Sequence, residues 1–257
     1  MDAFAATLAA VGGLAFGSFM GVVVHRVPQR ASIVRPRSRC PNCGHQLTAA
    51  DNIPIVSWIA LRARCRYCGA PISARYPAGE ALTAIIWALA VLRLGRNWNL
   101  LAFLPFLWVL VALSLIDLET KLLPNRIVYP SLAVGVVLLG TAAAAGPGIG
   151  AWVRALEAGA VSAAVFFVIA LISPAGMGMG DVKLAGLIGL YLGYLSWGRV
   201  FAGFFLSFVA GALVGIALMV AGRAGRKTQV PFGPFLALGA ILATLFGGPI
   251  LRAWHGG

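Results

Sequence analysis

Long stretches without formal charge are the feature that most limits what this chain can fold into. Five such stretches follow residue 96, and each is as long as the roughly 20 residues that cross a bilayer as a helix. Residues 3–25 form a sixth, and 78–92 and 182–198 are shorter candidates. Together they predict eight transmembrane helices. The five long stretches are residues 97–116, 127–153, 158–180, 200–222 and 228–251.

The composition excludes the common classes of soluble protein. Of the 257 residues, 60% are hydrophobic and 11% are charged, and the mean hydropathy is +0.92. A soluble domain is about 45–50% apolar and about 25% charged. Because one water-soluble domain of this size cannot bury so much apolar surface, a soluble enzyme, a disordered tail and a small disulfide scaffold are excluded. We predict an all-α polytopic membrane protein.

The composition changes abruptly between Arg26 and Tyr76. This segment holds nine basic residues, one acidic residue and all four cysteines, so we interpret it as a small extramembrane insert. The predicted division is a first transmembrane helix over 1–25, an insert over 26–77 and a seven-helix transmembrane bundle over 78–257.

The distribution of basic residues predicts the orientation of the chain. With the insert in the cytoplasm and the N-terminus outside, fifteen Lys and Arg residues fall on the cytoplasmic side, including three between residues 223 and 227. The other side receives five. Cytoplasmic loops carry an excess of positive charge, so this arrangement is favoured. The five outer residues are Arg93, Arg96, Arg154, Arg199 and Arg252.

Two C-x-x-C-G sequences, separated by 21 residues, lie in the insert. Such paired knuckles are typical of a tetrahedral zinc site, and four thiolates leave no position for a reactive water, so the predicted zinc is structural. The alternative is two disulfides or four idle thiols, which a reducing cytoplasm disfavours. A third interpretation, a membrane-anchored zinc ribbon that binds nucleic acid, follows from the nine basic residues, but we expect no nucleic-acid partner. The predicted ligands are Cys40, Cys43, Cys65 and Cys68.

Two carboxylates, Asp117 and Asp181, lie at the ends of apolar stretches that the predicted topology places at the same membrane face. A carboxylate at membrane depth costs about 2.5–3.5 kcal/mol, so it usually has a task or a partner. Two ordinary roles stay open: Asp117 pairs with Lys121, and Asp181 caps a helix that begins at Val182. For Glu119 and Glu80 we expect exposed side chains at the membrane boundary.

A set of short motifs extends along nearly the whole chain. These are GSFMGVVVHRVP at 17–28, the two cysteine knuckles, NIP at 52–54, SARYPAGE at 73–80, IDLETKLLP at 116–124, GMGDVKL at 178–184 and VPFGPF at 230–235. In this order they resemble the motifs of the bacterial prepilin peptidases, the type IV leader peptidases.

This resemblance implies a membrane aspartyl endopeptidase with Asp117 and Asp181 as its catalytic pair. The implied substrate is a prepilin or pseudopilin, cut after a Gly at the cytoplasmic face of the bacterial inner membrane. The family also implies methylation of the new N-terminus with S-adenosylmethionine, for which Arg75 and Glu80 are candidate binding residues. Beyond the substrate, the expected partners are membrane lipids.

Two positions depart from the family pattern, and one alternative function remains. Gly21 stands where the opening motif usually has Asn, and Asn125 stands where the first aspartate motif usually has Asp.

The alternative function is that of a proton-coupled transporter that uses Asp117 and Asp181, since carboxylates within a membrane also mark ion pathways.

Overall fold

The computed structural model describes residues 2–173, 176–222 and 230–254, with side chains up to residue 248. Three basic residues assigned to the cytoplasmic side, Arg223, Arg226 and Lys227, lie outside the described residues. The side chain of Arg252 does too.

The described residues form nine α-helices and no extended strand, which confirms the all-α class. Six of these helices are long and apolar enough to cross a membrane. The polytopic membrane class is therefore confirmed, and the count of eight spans stays a prediction. The helices are α1 Asp2–Arg26, α2 Val56–Ala60, α3 Arg75–Leu94, α4 Asn99–Thr120, α5 Asn125–Ala144, α6 Ile149–Ile172, α7 Met179–Leu195, α8 Trp197–Val220 and α9 Gly233–Trp254.

One predicted helix boundary is wrong. The uncharged stretch 127–153 is not a single helix, because α5 ends at Ala144 and α6 begins at Ile149. Proline at 147 lacks the N–H that would continue the helix, and Gly148 adopts φ +85°. The Gly-Pro-Gly turn, not the position of the next charge, therefore sets the boundary. Arg154 consequently lies within α6.

The contacts divide the chain into two compact units, 1–96 and 97–257. The first unit contains α1, the cysteine insert and α3. The second contains α4 to α9. The composition predicted a division after residue 77, whereas the contacts group α3 with α1.

Glycines bring α1 and α3 into close contact in the first unit. A Cβ atom on Gly13 would lie 2.7 Å from the Cα atom of Ala84, and one on Gly17 would lie 2.6 Å from the Cα atom of Glu80. Real side chains do not approach a backbone so closely. The two helices pack backbone to backbone, with small residues four positions apart, as in many membrane helix pairs.

Gly21 continues the same face of α1 by one more turn. A Cβ atom there would lie 3.0 Å from the ring of Tyr76. The departure from the usual Asn therefore has a packing consequence, because the small residue leaves room for the tyrosine ring.

In the second unit, α7 is the most deeply buried helix, and α6 packs tightly along it. At the end of α7, the Arg154 guanidinium of α6 donates hydrogen bonds of 2.7 Å to the carbonyls of both Gly193 and Tyr194. Side-chain donors thus satisfy carbonyls that the helix end leaves without a partner.

Candidate active site

Asp117 lies one turn before the end of α4 and is buried. Its Oδ2 atom accepts a hydrogen bond of 3.0 Å from the backbone N–H of Gly233, the first residue of α9. A Cβ atom on Gly233 would lie 2.6 Å from that oxygen. Only glycine lets the α9 backbone approach the carboxylate so closely. Lys121 contacts Asp117 through the backbone: the N–H of Lys121 donates to the carbonyl of Asp117.

Asp181 is the third residue of α7 and is also buried. Its Oδ2 atom accepts a hydrogen bond of 3.0 Å from the backbone N–H of Gly178. The helix begins at Met179 and not at Val182, but the capping role considered from the sequence is present in this geometry. A carboxylate at this position is favoured by the positive end of the helix dipole.

The fold brings the two aspartates to one site within the second unit. Both carboxylates are buried, and each accepts a hydrogen bond from a backbone N–H. The segment after Asp117 also packs on the segment before Asp181, since a Cβ atom on Gly180 would lie 3.0 Å from the Cβ atom of Leu123.

A polar contact that the sequence did not predict also connects the two aspartate motifs. The Lys183 ammonium donates a hydrogen bond of 3.0 Å to the Oδ1 atom of Asn125. It also lies 5.3 Å from the centre of the Tyr129 ring, within the range of a cation–π contact. The second departure from the family pattern therefore gives a neutral acceptor for Lys183.

The four cysteines form one cluster in the first unit. Their Sγ atoms all lie within 4.8 Å of one another, and none forms a disulfide. The distance between the Sγ atoms of Cys40 and Cys68 is 3.8 Å. Four sulfurs at about 2.3 Å from a tetrahedral zinc are about 3.8 Å apart. The cluster can therefore hold a metal ion such as zinc.

The two knuckles are copies of one local structure. In each, the N–H of the first cysteine, Cys40 or Cys65, donates to the carbonyl five residues later, at 2.9 and 2.8 Å. The glycine after the second cysteine adopts φ +71° at Gly44 and +69° at Gly69. Glycine permits this left-handed turn at no steric cost, which explains the repeated C-x-x-C-G pattern.

Hydrogen bonds prepare one thiol of the cluster for the ionised state that binds metal. The backbone N–H of Ala70 and then the side-chain amide of Asn42 lower the pKa of Cys68 to about 6. Donors directed at a sulfur stabilise the thiolate over the thiol.

An ion pair joins the second knuckle to the segment between the knuckles. The Nε atom of Arg66 lies 2.8 Å from the Oδ1 atom of Asp51, and the Thr48 hydroxyl donates to the Oδ2 atom at 2.7 Å. The Thr48 hydroxyl and then the Arg66 guanidinium hold the pKa of Asp51 below its usual value of 3.8.

The two candidate cofactor residues differ in their surroundings. Arg75 is exposed at the start of α3. Glu80 is buried, so the expectation that its side chain is exposed is wrong. The Oε2 atom of Glu80 accepts a hydrogen bond of 2.7 Å from the N–H of Ile55, a residue with φ +59°. Glu80 thus fastens the insert to α3. Glu119 is exposed, as expected.

Comparisons with known proteins agree over most of the chain. The family description "Bacterial Peptidase A24 N-terminal domain" matches residues 11–94, and "Type IV leader peptidase family" matches residues 104–216. No solved structure matches the chain significantly.

Relatives from several bacteria carry the name prepilin leader peptidase/N-methyltransferase. The protein from Aeromonas hydrophila is 37% identical over 94% of this chain and 90% of its own length. The Bacillus subtilis protein is 37% identical over 93% of both chains. The Myxococcus xanthus protein is 40% identical over 84% of this chain and 64% of its own length. Identity at this level over at least 90% of both chains, as with the Aeromonas and Bacillus proteins, shows that the chain belongs to the type IV leader peptidase family.

Proposed function

We propose that the chain is a membrane aspartyl endopeptidase that removes the leader of type IV prepilins and pseudopilins after a Gly. The observation that carries the proposal is geometric: the segments of the two buried aspartates pack on each other in the second unit, through Gly180 against Leu123 and Lys183 on Asn125. The names of the relatives favour this function over the proton-coupled transporter.

The two aspartates supply the proton transfers of peptide hydrolysis. One ionised carboxylate takes a proton from water as the water oxygen adds to the scissile carbonyl carbon. The other, protonated, donates its proton to the carbonyl oxygen. The tetrahedral intermediate then collapses: one of its hydroxyl groups returns a proton to the second aspartate, the C–N bond breaks, and the leaving amine takes the proton that the first aspartate received from water. The Gly233 and Gly178 N–H groups orient the two carboxylates during these steps.

The proposed location is the bacterial inner membrane, with the N-terminus outside and the insert in the cytoplasm. The excess of basic residues on that side supports this orientation. It places the aspartates at the cytoplasmic face, where the leader of a newly made prepilin is accessible.

We propose zinc as the metal of the cysteine cluster, held by Cys40, Cys43, Cys65 and Cys68. The spacing of their sulfurs suits a closed tetrahedral site. Four protein ligands leave no position for water or substrate, so zinc would crosslink the two knuckles and stabilise the insert.

Methylation of the new N-terminus with S-adenosylmethionine is proposed from the names of the relatives alone. Glu80 uses its Oε2 atom to hold the insert through the N–H of Ile55, which leaves Oε1 as a further acceptor. A role for Arg75 or Glu80 in binding the cofactor stays a prediction.

Substitution of the two aspartates tests the proposal. In membranes that contain a prepilin whose leader ends in Gly, Asp117→Asn and Asp181→Asn should each reduce cleavage by about 10²–10⁴-fold. Asparagine has nearly the same shape but cannot exchange the proton. Mass spectrometry of the pilin reports the loss of the leader and any added methyl group together.

Glu119→Gln is the matched control, because Glu119 lies on the same helix two residues after Asp117 and is exposed. It should cleave like the wild type. Cleavage close to the wild-type rate by either Asp→Asn variant would show that the aspartyl mechanism is wrong.

A further inference from the structure

An apolar groove of about 420 Å³ runs between α6 and α8 in the second unit. Its lining on α8 extends from Trp197 to Phe208, a rise of about 16 Å, which is about half the hydrocarbon thickness of a bilayer. The Ser162 hydroxyl is the one polar group contributed by α6. Five of the 14 phenylalanines of the chain line the groove: Phe166, Phe201, Phe204, Phe205 and Phe208.

Aromatic rings form the floor of this groove. Phe166 is buried, and its ring centre lies 4.9 Å from that of Phe204 and 5.9 Å from that of Phe208. Packed aromatic rings give a rigid, recessed apolar surface. Such a groove suits the side chains on one face of an apolar helix, spaced at i, i+3, i+4 and i+7.

One end of the groove lies beside the segment that binds Asp117. The ring of Phe208 lies 5.3 Å from the ring of Phe232, centre to centre. Phe232 directly precedes Gly233, whose N–H binds the carboxylate of Asp117. A helix in the groove would therefore end beside the segment that holds Asp117.

We propose that this groove binds the apolar segment of the peptide substrate that adjoins the bond cut at the aspartates. The inference rests on the proposed function and adds to it how the substrate is held. A peptide cut at the membrane boundary keeps its apolar residues within the bilayer, and the groove receives them at that depth. Binding there holds the scissile bond at the two carboxylates, and correct placement lowers the barrier to reaction.

Two valines on α6 provide a matched test. Val165 lines the groove and is 50% exposed, and Val168 lies outside it and is 51% exposed. In Val165→Trp the indole fills the groove, so KM for a full-length prepilin should rise about tenfold, equivalent to about 1.4 kcal/mol of lost binding. Val168→Trp should leave KM within about twofold of the wild type.

A second substrate separates binding of the apolar segment from damage to the site. A short peptide that contains the leader and the scissile bond, but no apolar segment, should be cleaved equally by the wild type and both variants. Equal loss of short-peptide cleavage in Val165→Trp would overturn the inference, and so would an unchanged KM for the full-length prepilin. Failure of the proposed function differs, because the wild type would then cleave neither substrate.

Crosslinking identifies the occupant directly. A photoreactive phenylalanine analogue replaces Val165 or Val168 in the Asp117→Asn background, together with a full-length prepilin. We expect adducts with the apolar segment of the prepilin from position 165 and not from position 168. Adducts from position 165 to lipid alone would show that the groove holds acyl chains and contradict the inference.

Discussion

The two units build their polar sites in opposite ways. In the first, each knuckle is complete within a few neighbouring residues, and its hydrogen bonds and glycine turn repeat in the second copy. In the second, Asp117, Asp181 and Gly233 come from three helices that are distant in sequence. A local site is therefore encoded by spacing, whereas the distributed site depends on how long helices pack.

We therefore expect a substitution in one unit to impair the polar site of that unit and to leave the site of the other unchanged. A change in the knuckles should remove metal and order from the insert, and a change near Gly233 should reduce catalysis without affecting the metal. Four substitutions, from the largest expected effect to the smallest, test the contrast.

The largest effect is expected for Cys40→Ser. Zinc-binding free energies of small structural sites are about 10–16 kcal/mol, so loss of one ligand should remove most of the order of the insert. Metal analysis should find about one zinc per chain in the wild type and none in the variant. His45→Ala is the control, because the knuckle uses the carbonyl of His45, and it should retain its zinc. A Cys40→Ser protein with full zinc content would refute the assigned ligands.

Gly233→Ala tests the distributed site. The new methyl group would lie 2.6 Å from the Asp117 oxygen, so the carboxylate must move, and leader cleavage should fall about 10²-fold. Zinc content should not change. Gly215→Ala on α8, with nothing within 4 Å of its Cβ position, should cleave like the wild type. Equal activity of the two variants would mean that the contact between Gly233 and Asp117 does not position the carboxylate.

Gly17→Ala tests the close packing of α1 and α3. Because its methyl group would lie 2.6 Å from a backbone atom of Glu80, the helices must separate, at a cost of about 1–3 kcal/mol. Thermal unfolding of the first unit in detergent measures this cost. Gly12→Ala, where the nearest atom is a ring carbon of Trp87 at 3.3 Å, should cost less. The reverse order would contradict the glycine-mediated contact.

The smallest effect is expected for Asp51→Asn. Because folding lowers the pKa of Asp51, the ionised carboxylate stabilises the insert above its usual pKa of 3.8, and this contribution disappears as the pH falls through the folded value. Arg66 is half exposed, so the loss should be below about 1 kcal/mol. Hydrogen exchange of the Thr48 amide measures it. The two proteins should differ fully at pH 6, differ less as the pH falls below 3.8, and converge once it lies below the folded pKa of Asp51. A difference that persists at low pH would exclude the ionised carboxylate as its source.

The cysteine cluster and the helical membrane class could be predicted from the sequence, since both depend on local spacing or on composition. The two aspartates stand out in the sequence because a carboxylate at membrane depth is energetically costly. The groups that hydrogen-bond to them could not be predicted. Gly233 and Gly178 offer only backbone N–H groups, which carry no side-chain signal. The uncharged stretch 127–153 does not reveal the break between α5 and α6, because the Gly-Pro-Gly turn that makes the break carries no charge. The burial of Glu80 was missed because it depends on the approach of Gly17 from another helix.

The hydrogen bonds of Arg154 have a consequence for where Asp181 lies along the axis of α7. Arg154 belongs to α6, and its guanidinium binds two carbonyls at the C-terminal end of α7. Asp181 lies near the opposite end of that helix, a rise of about 18–20 Å away. Sliding α7 along α6 would break these bonds, so an arginine at one end of the helix fixes the axial position of the carboxylate at the other.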